Sequence, residues 1–104
     1  MKRKELAAIL SKVAPTTYNE WAGRETVPKP PFIAYLDAKP DIISADNRAF
    51  IRKPRYIVEL YVAKGDDDTE DELDETLDEA GIFFEKDARE LLHDEKWYMT
   101  VYYI

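Results

Sequence analysis

The sequence contains no cysteine, only three glycines and a single histidine, and these shortages limit its chemistry. Without cysteine the chain has no disulfide framework, no thiol nucleophile and no thiolate metal site. Gly23, Gly65 and Gly81 stand far apart, so the glycine-rich loop that cradles phosphate in nucleotide-binding proteins has no counterpart. His93 lies in a predicted turn, where we expect a solvent-exposed residue rather than a catalytic one.

Long apolar runs are also missing. The basic residues 2–4 are followed by Glu5 and then by the short apolar stretch Leu6–Leu10, which is too short for a signal peptide. No run approaches the roughly 18–20 residues that cross a bilayer, so the sequence predicts no membrane association. At 104 residues the chain is long enough for one domain and too short for two, and we expect a single domain over 1–104.

Basic residues are outnumbered, with 15 Lys and Arg against 22 Asp and Glu, for a net charge of −7. This balance argues against specific nucleic-acid binding, which normally requires a basic excess. The acidity is concentrated in residues 66–80, which hold ten acids and no base. The rest of the chain has a balance of +3, so one acidic segment sets the sign of the whole charge.

Hydrophobic spacing in the first half of the chain predicts one helix followed by short strands. Apolar residues recur on one helical face over 2–13. The β-branched and aromatic residues of 16–22 predict a short strand, and the apolar run 32–36 predicts another. We expect Lys39-Pro40-Asp41 to break that strand, and 42–47 to form a strand end followed by a turn.

The middle of the chain predicts a long strand and then a second helix. Residues 48–63 form one long or interrupted strand, with an edge or a bulge at Pro54, which has no N–H to donate. Apolar residues at helical spacing predict a helix over 69–80, and Gly81 is a typical residue for its C-terminal end. Any of the aspartates in 66–68 can cap its N-terminus.

The C-terminal part predicts a short strand over 82–86 and a hairpin over 89–104, with a helical turn over 87–92 as the alternative. The last strand is apolar on both faces, which favours a central or otherwise covered position. The order of elements predicts an α+β fold, with a mostly antiparallel sheet of about four to five strands and two helices packed on it.

The acidic segment has the composition of an oxygen-rich calcium loop, but not its pattern. Counted from Asp66, the sixth position is Asp71 where such loops need glycine, and the twelfth is Leu77 where they need glutamate. We therefore expect no metal site and no cofactor. The acids instead suit the first turn of a helix, where they complement its dipole.

A basic cluster over 48–55 precedes the acidic segment 66–80. The opposite charges of the two segments suit a contact between copies of the chain. The cluster is typical of a guarded strand edge or an interface, although a small nucleic-acid patch would look the same. Head-to-tail contacts that close generate rings. The candidate subunit-interface residues are Arg48, Arg52, Lys53 and Arg55 on the basic side and Asp71, Asp74, Glu75 and Asp78 on the acidic helix.

The order of these features resembles a family of small phage proteins. The segments that carry the resemblance are Pro31–Leu36, Ser44–Asn47 with Phe50, Tyr56–Tyr61, the acidic helix with Leu73 and Leu77, Phe84–Lys86 and Asp94–Tyr102. Together they are similar to tail-completion proteins (tail terminators, or head–tail joining proteins) of long-tailed phages and prophages. The Ala-Asp-Asn turn between two strands is the most particular part.

The resemblance implies an α+β subunit of a ring, commonly a hexamer, that caps the tail tube and docks it to the head connector. Such a protein is no enzyme, is part of the virion, and resides in the host cytoplasm during assembly. One alternative is a stand-alone cytoplasmic module whose acidic helix binds a basic protein partner. A small enzyme is the third interpretation, and it would need a pocket with converging polar groups.

Overall fold

A computed structural model describes residues 1–19, 28–45, 48–92 and 96–104, with the side chains of 43–45 and 48–52 left out. Within these residues, two helices pack on one face of a sheet. The elements are α1 (Arg3–Leu10), β1 (Thr16–Tyr18), β2 (Phe32–Ala45), β3 (Arg48–Ala63), α2 (Asp68–Glu79), β4 (Glu85–Lys86), β5 (Glu90–Leu92) and β6 (Trp97–Tyr103).

The strands of the described residues form one sheet in the order β1-β2-β3-β6-β4, with β5 also paired to β6. Only β1 and β2 run parallel, and the other pairs are antiparallel. The predicted α+β class is confirmed. The strand count is six rather than four to five because β4 and β5 are two short segments along the same side of β6.

Helix α1 is shorter than the predicted 2–13. It ends at Leu10, and the next residues form a tighter turn in which the Val13 N–H donates to the Leu10 carbonyl at 3.0 Å. Bonds three residues apart commonly tighten the last turn of a helix. Here that turn brings the chain to Pro15, whose carbonyl accepts from the Ile33 N–H and so begins the pairing of β1 with β2.

Helix α2 agrees with the prediction to within one residue at each end. Its N-terminal cap is the Asp66 carboxylate, which accepts hydrogen bonds from the backbone N–H groups of Asp68 and Thr69, both at 3.1 Å. At the other end Gly81 adopts φ +74°, and the N–H of Ile82 donates back to the Leu77 carbonyl at 3.0 Å. This backbone conformation favours glycine, which explains the end signal in the sequence.

The predicted break at Lys39-Pro40-Asp41 is wrong, because β2 continues through it to Ala45. The register shifts between the Ala38–Arg55 pair and the Asp41–Lys53 pair, which marks a β-bulge at this point. A bulge accommodates a residue without an N–H while the strand carries on. The predicted strand 48–63 is confirmed, and so is the predicted irregularity at Pro54, which lies opposite this bulge.

At the C-terminal end, the predicted strand 82–86 is reduced to Glu85–Lys86. The hairpin is confirmed by the pairing of β5 with β6, so the alternative of a helical turn over 87–92 is wrong. The central position of β6 is also confirmed. Three parts of the predictions fall outside the described residues, namely 20–22, the turn at 46–47 and His93.

The core lies between the helices and one face of the sheet. Leu6 and Leu10 of α1 and Leu73 and Leu77 of α2 are fully buried. Burying one such side chain contributes about 1.5–3 kcal/mol. They pack on a row of sheet residues that includes Ile33, Tyr35, Tyr56, Val58, Leu60, Val62 and Tyr102. The core therefore draws on both helices and all the long central strands.

The hairpin of β2 and β3 extends well beyond this core. Among the described strands, β1 pairs with β2 only over Ile33–Tyr35, and β6 pairs with β3 only over Ile57–Ala63. Within the described strands, residues 38–45 and 48–55 therefore pair only with each other, and we call this two-stranded segment the arm. The radius of gyration is 15.1 Å. A compact domain of this length has about 13 Å, so the molecule is elongated.

Among the described residues, no helix is both long and apolar enough to span a lipid bilayer.

Candidate interaction surfaces

The predicted basic residues lie together on one strand of the arm. In the backbone register Arg48 is opposite Ala45, Arg52 is opposite Ile42, Lys53 is opposite Asp41 and Arg55 is opposite Ala38. The side chains of Arg48 and Arg52 are outside the described residues. Lys53 is exposed and makes no ion pair with the described part of the chain. The backbone register thus places all four basic positions on one strand of the arm.

Arg55 differs from Lys53 because its own chain already binds it. Its Nη1 lies 2.9 Å from Oδ2 of Asp41, and its Nε donates to the carbonyl of Ile104 at 2.7 Å. The second bond joins the base of the arm to the end of β6. Arg55 therefore holds the base of the arm in place. Two of its nitrogens are already used within the chain, so fewer of its N–H groups remain available to a neighbouring subunit.

The acids of α2 divide into an inner and an outer set. Glu70 and Asp74 form the inner set, and each places a carboxylate oxygen 2.6 Å from the ammonium nitrogen of Lys86. Arg89 adds a second cation, with its Nη1 3.2 Å from Asp67 and its Nε 3.5 Å from Glu70. Lys86 and Arg89 come from β4 and the following segment, so these ion pairs tie α2 to the edge of the sheet.

The inner set also bonds to the central strand. The hydroxyl of the buried Tyr102 donates to Asp74 at 2.7 Å, and that of Thr100 donates to Glu70 at 3.1 Å. Desolvation, reinforced by the Asp74 hydrogen bond, raises the pKa of Tyr102 far above its ordinary value, so the phenol stays protonated and donates. Asp74, a predicted interface residue, is thus half-buried and has partners within its own chain.

Charge pairing shifts the pKa values of this cluster. Burial opposes ionisation of Glu70, but hydrogen bonds from Lys86 and Thr100 and the nearby Arg89 outweigh it, so the pKa of Glu70 lies below its usual value. Burial likewise opposes the charge on Lys86, but its bonds to Asp74 and Glu70 raise its pKa overall. At neutral pH Glu70 is therefore ionised and Lys86 protonated, as their ion pair requires.

The outer set is different, and it includes three of the four acids predicted as interface residues. Asp71, Glu75 and Asp78 are exposed and form no ion pair with any described residue. They are spaced by four and three residues, so they lie on the same side of the helix. Leu73 and Leu77 occupy the side that faces the core. We call the three carboxylates the outer face of α2.

A groove lies between the start of α1 and the base of the arm. Its volume is about 800 Å³, and four of its nine lining residues are cationic while one is acidic. The lining residues are Lys2, Arg3, Lys4, Asp37, Ala38, Pro40, Pro54, Arg55 and Tyr56. In the sequence, residues 2–4 are only a basic start followed by an apolar stretch too short for a signal peptide, and nothing local indicates their part in this surface. They are about 50 positions from Arg55 in the chain, and only the fold joins them.

Hydrogen bonds fix the first residues of the chain at this groove. The Tyr56 hydroxyl donates to the Met1 carbonyl at 2.8 Å. Arg3 places its Nε 3.2 Å from Asp37, which also accepts from the Tyr18 hydroxyl. The bonds from Tyr18 and Arg3 lower the pKa of Asp37. Lys2 and Lys4 are exposed and make no ion pair within the part of the chain that the structure describes.

The described residues contain no group of three or more His, Asp or Glu side chains placed to hold a metal ion. In comparisons with known proteins, no family model matches this chain and no curated protein matches it.

Proposed function

We propose that this chain is a structural protein of long-tailed phage or prophage particles, of the tail-completion kind, which acts by assembling with copies of itself into a ring. In this proposal the ring, a hexamer by the resemblance, binds the tail tube on one side and the head connector on the other. It is part of the virion and catalyses no reaction, so no residue is assigned a catalytic role.

The observation that carries this proposal is the arm. An isolated two-stranded hairpin is marginally stable in water, and both of its edges offer unpaired backbone groups to another chain. Ile42 on the arm is 56% exposed, so an apolar side chain there is available for a neighbour to cover. A monomer gains little from such an arm, whereas a subunit uses it to reach an adjacent copy.

Charge supports the same proposal. The basic arm and the outer face of α2 lie on separate parts of the molecule, one beyond the core and the other on the helical layer. A contact between two different surfaces is heterologous, and heterologous contacts build rings when the rotation closes. Arg55 and Asp74 contribute less than the sequence suggested, because each is bound within its own chain.

A second function is favoured by the outer face of α2 alone. Three exposed carboxylates without partners among the described residues also suit a module that binds a basic protein. In that case the arm would make no contact with other copies of the chain. The chain would be monomeric alone and would form a complex only when the basic protein is added.

The two functions are distinguished by mass and shape. We expect light scattering over a concentration series to give a mass several times the monomer's 12.1 kDa, and negative-stain electron microscopy to show closed rings of uniform diameter. A chain that stays monomeric up to about 1 mM, where an association free energy of only about −4 kcal/mol would already give assembly, contradicts the ring. Open filaments of variable length contradict it as well.

A further inference from the structure

We propose that the groove between α1 and the base of the arm binds the outer face of α2 from a second copy of this chain. This inference rests on the proposed function as far as self-assembly is concerned, and it goes further by assigning the two surfaces that meet. The occupant is the side of α2 that bears Asp71, Glu75 and Asp78, and the receiving cations are Lys2 and Lys4. Arg3 and Arg55 also line the groove, but they already pair with Asp37 and Asp41.

The charges of the two surfaces match. The groove has a balance of +3 over its lining residues, and the outer face contributes three carboxylates. Lys2 and Lys4 on one side, and all three acids on the other, are exposed and make no ion pair inside the described chain. Complementary charge of this kind steers association and excludes wrong partners.

The sizes also match. Asp71 and Asp78 are seven residues apart, which is about 10 Å along a helix, and a helix with its side chains is about 10–12 Å wide. The groove, with a volume of about 800 Å³, has room for side chains from one side of such a segment. Pro40 and Pro54, one on each strand of the arm, add apolar surface to its lining.

One copy does not make this contact with itself. Asp71, Glu75 and Asp78 form no ion pair with any described residue, the groove cations Lys2 and Lys4 included. Each subunit therefore presents one groove and one outer face at separate places. The contact is head-to-tail, and every subunit in a closed ring has both surfaces filled.

Reversing the charge on either surface tests the contact. We expect K2E/K4E to abolish the attraction at the groove, and D71K/E75K to abolish it at the outer face. Each variant by itself should associate at least about tenfold more weakly than the wild type, because like charges then face each other. Sedimentation equilibrium at low salt measures the association, and circular dichroism checks that each variant is folded.

The mixture of the two variants is the decisive measurement. An acidic groove then meets a basic helix, and a basic groove meets an acidic helix, so an equimolar mixture should regain assembly in alternating order. The matched controls are K12E/K64E and E85K/E90K, which change the net charge equally at exposed residues outside both surfaces. These controls should leave the association within about threefold of the wild type, as expected for charges remote from a contact.

The possible outcomes separate this inference from the ring. Rings that both reversed variants still form would overturn the inference and leave the proposed function standing. If the wild type forms open filaments of subunits, and both charge reversals abolish them while the mixture of the two variants restores them, the inference is supported and the ring is contradicted. A wild-type monomer at every concentration overturns both, as does a monomer whose groove binds a short DNA duplex instead.

Discussion

At the residue scale, the acidic side chains of 66–80 have different structural roles, although the sequence shows only a run of Asp and Glu. Asp66 caps a helix, Glu70 and Asp74 bind cations and hydroxyls beneath it, and Asp71 faces solvent. Helical periodicity assigns the sides of α2, but it does not tell which side has cations opposite. Those cations, Lys86 and Arg89, come from a different element, so only the packed structure identifies the buried pairs.

Asp66→Ala should destabilise the fold by about 1 kcal/mol, because the side chain satisfies two N–H groups at the start of α2. The expected fall in Tm is about 5 °C, measured by thermal unfolding under circular dichroism. The matched control is Asp68→Ala, which removes an exposed carboxylate that makes no side-chain hydrogen bond to a described residue. An equal loss in both variants would contradict the capping role.

Glu70→Gln should make the fold less dependent on acid pH. The pKa of Glu70 is lowered in the folded state, so its contribution is complete above the ordinary value of 4.5 and is lost as the pH falls through the folded pKa. Near neutral pH we expect a cost of about 1.5 kcal/mol, since a bond between charged groups is removed. Urea unfolding at a series of pH values should show the two proteins converging well below pH 4.5.

The control for this measurement is Glu85→Gln, which changes an exposed carboxylate without an ion pair to any described residue. Its unfolding free energy should follow the wild type at every pH. A constant difference between Glu70→Gln and the wild type across the acid range would mean that the Glu70 charge contributes nothing to the fold.

At the element scale, the arm is separate from the folded body. Among the side chains that the structure describes, the buried residues of β2 and β3, such as Ile33, Tyr35 and Val58, lie outside 38–55. The register shift near Pro40 and Pro54 marks the boundary between the two parts.

The sequence predicted the long strand β3 correctly, but it predicted a break in the partner strand β2 where the strand in fact continues. A proline in the interior of a strand is compatible with a bulge as well as with a break, and local sequence cannot distinguish them.

Replacing 39–54 by Asn-Gly should leave the body folded and abolish assembly. The Ala38–Arg55 pair would then close on a two-residue turn, for which Asn-Gly is favoured. We expect a cooperative thermal transition, an unchanged near-ultraviolet spectrum of the tyrosines and tryptophans, and a monomeric mass by light scattering. Loss of cooperative unfolding would show that the arm is part of the core, and retained rings would show that it is not a subunit contact.

At the scale of the whole molecule, charge acts in two opposite ways. The net charge of −7 is concentrated in one segment, so self-repulsion opposes folding of a single copy. The same carboxylates attract a neighbour's groove in the contact proposed above. Added salt screens both effects, since the screening length falls from about 10 Å at 0.1 M to about 3 Å at 1 M.

Salt should therefore stabilise the monomer and weaken the assembly. In dilute protein, where the monomer dominates, we expect Tm to rise by a few degrees between about 0.1 and 1 M sodium chloride, as repulsion is screened. In concentrated protein the mean mass should fall over the same range. The two are measured by scanning fluorimetry and light scattering. An assembly that strengthens with salt would indicate an apolar contact instead.

The sequence by itself determined the α+β class, the extent of β3 and α2, and the concentration of negative charge in one helix, because these depend on local periodicity and turn chemistry. Tertiary structure alone decided which charges are satisfied and which stay free, since partners such as Lys86 and Asp74 meet only after the sheet is built. It also made the basic groove, by bringing Lys2 and Lys4 against the base of the arm. Surfaces formed from distant segments depend on chain topology, and no pattern within one segment encodes them.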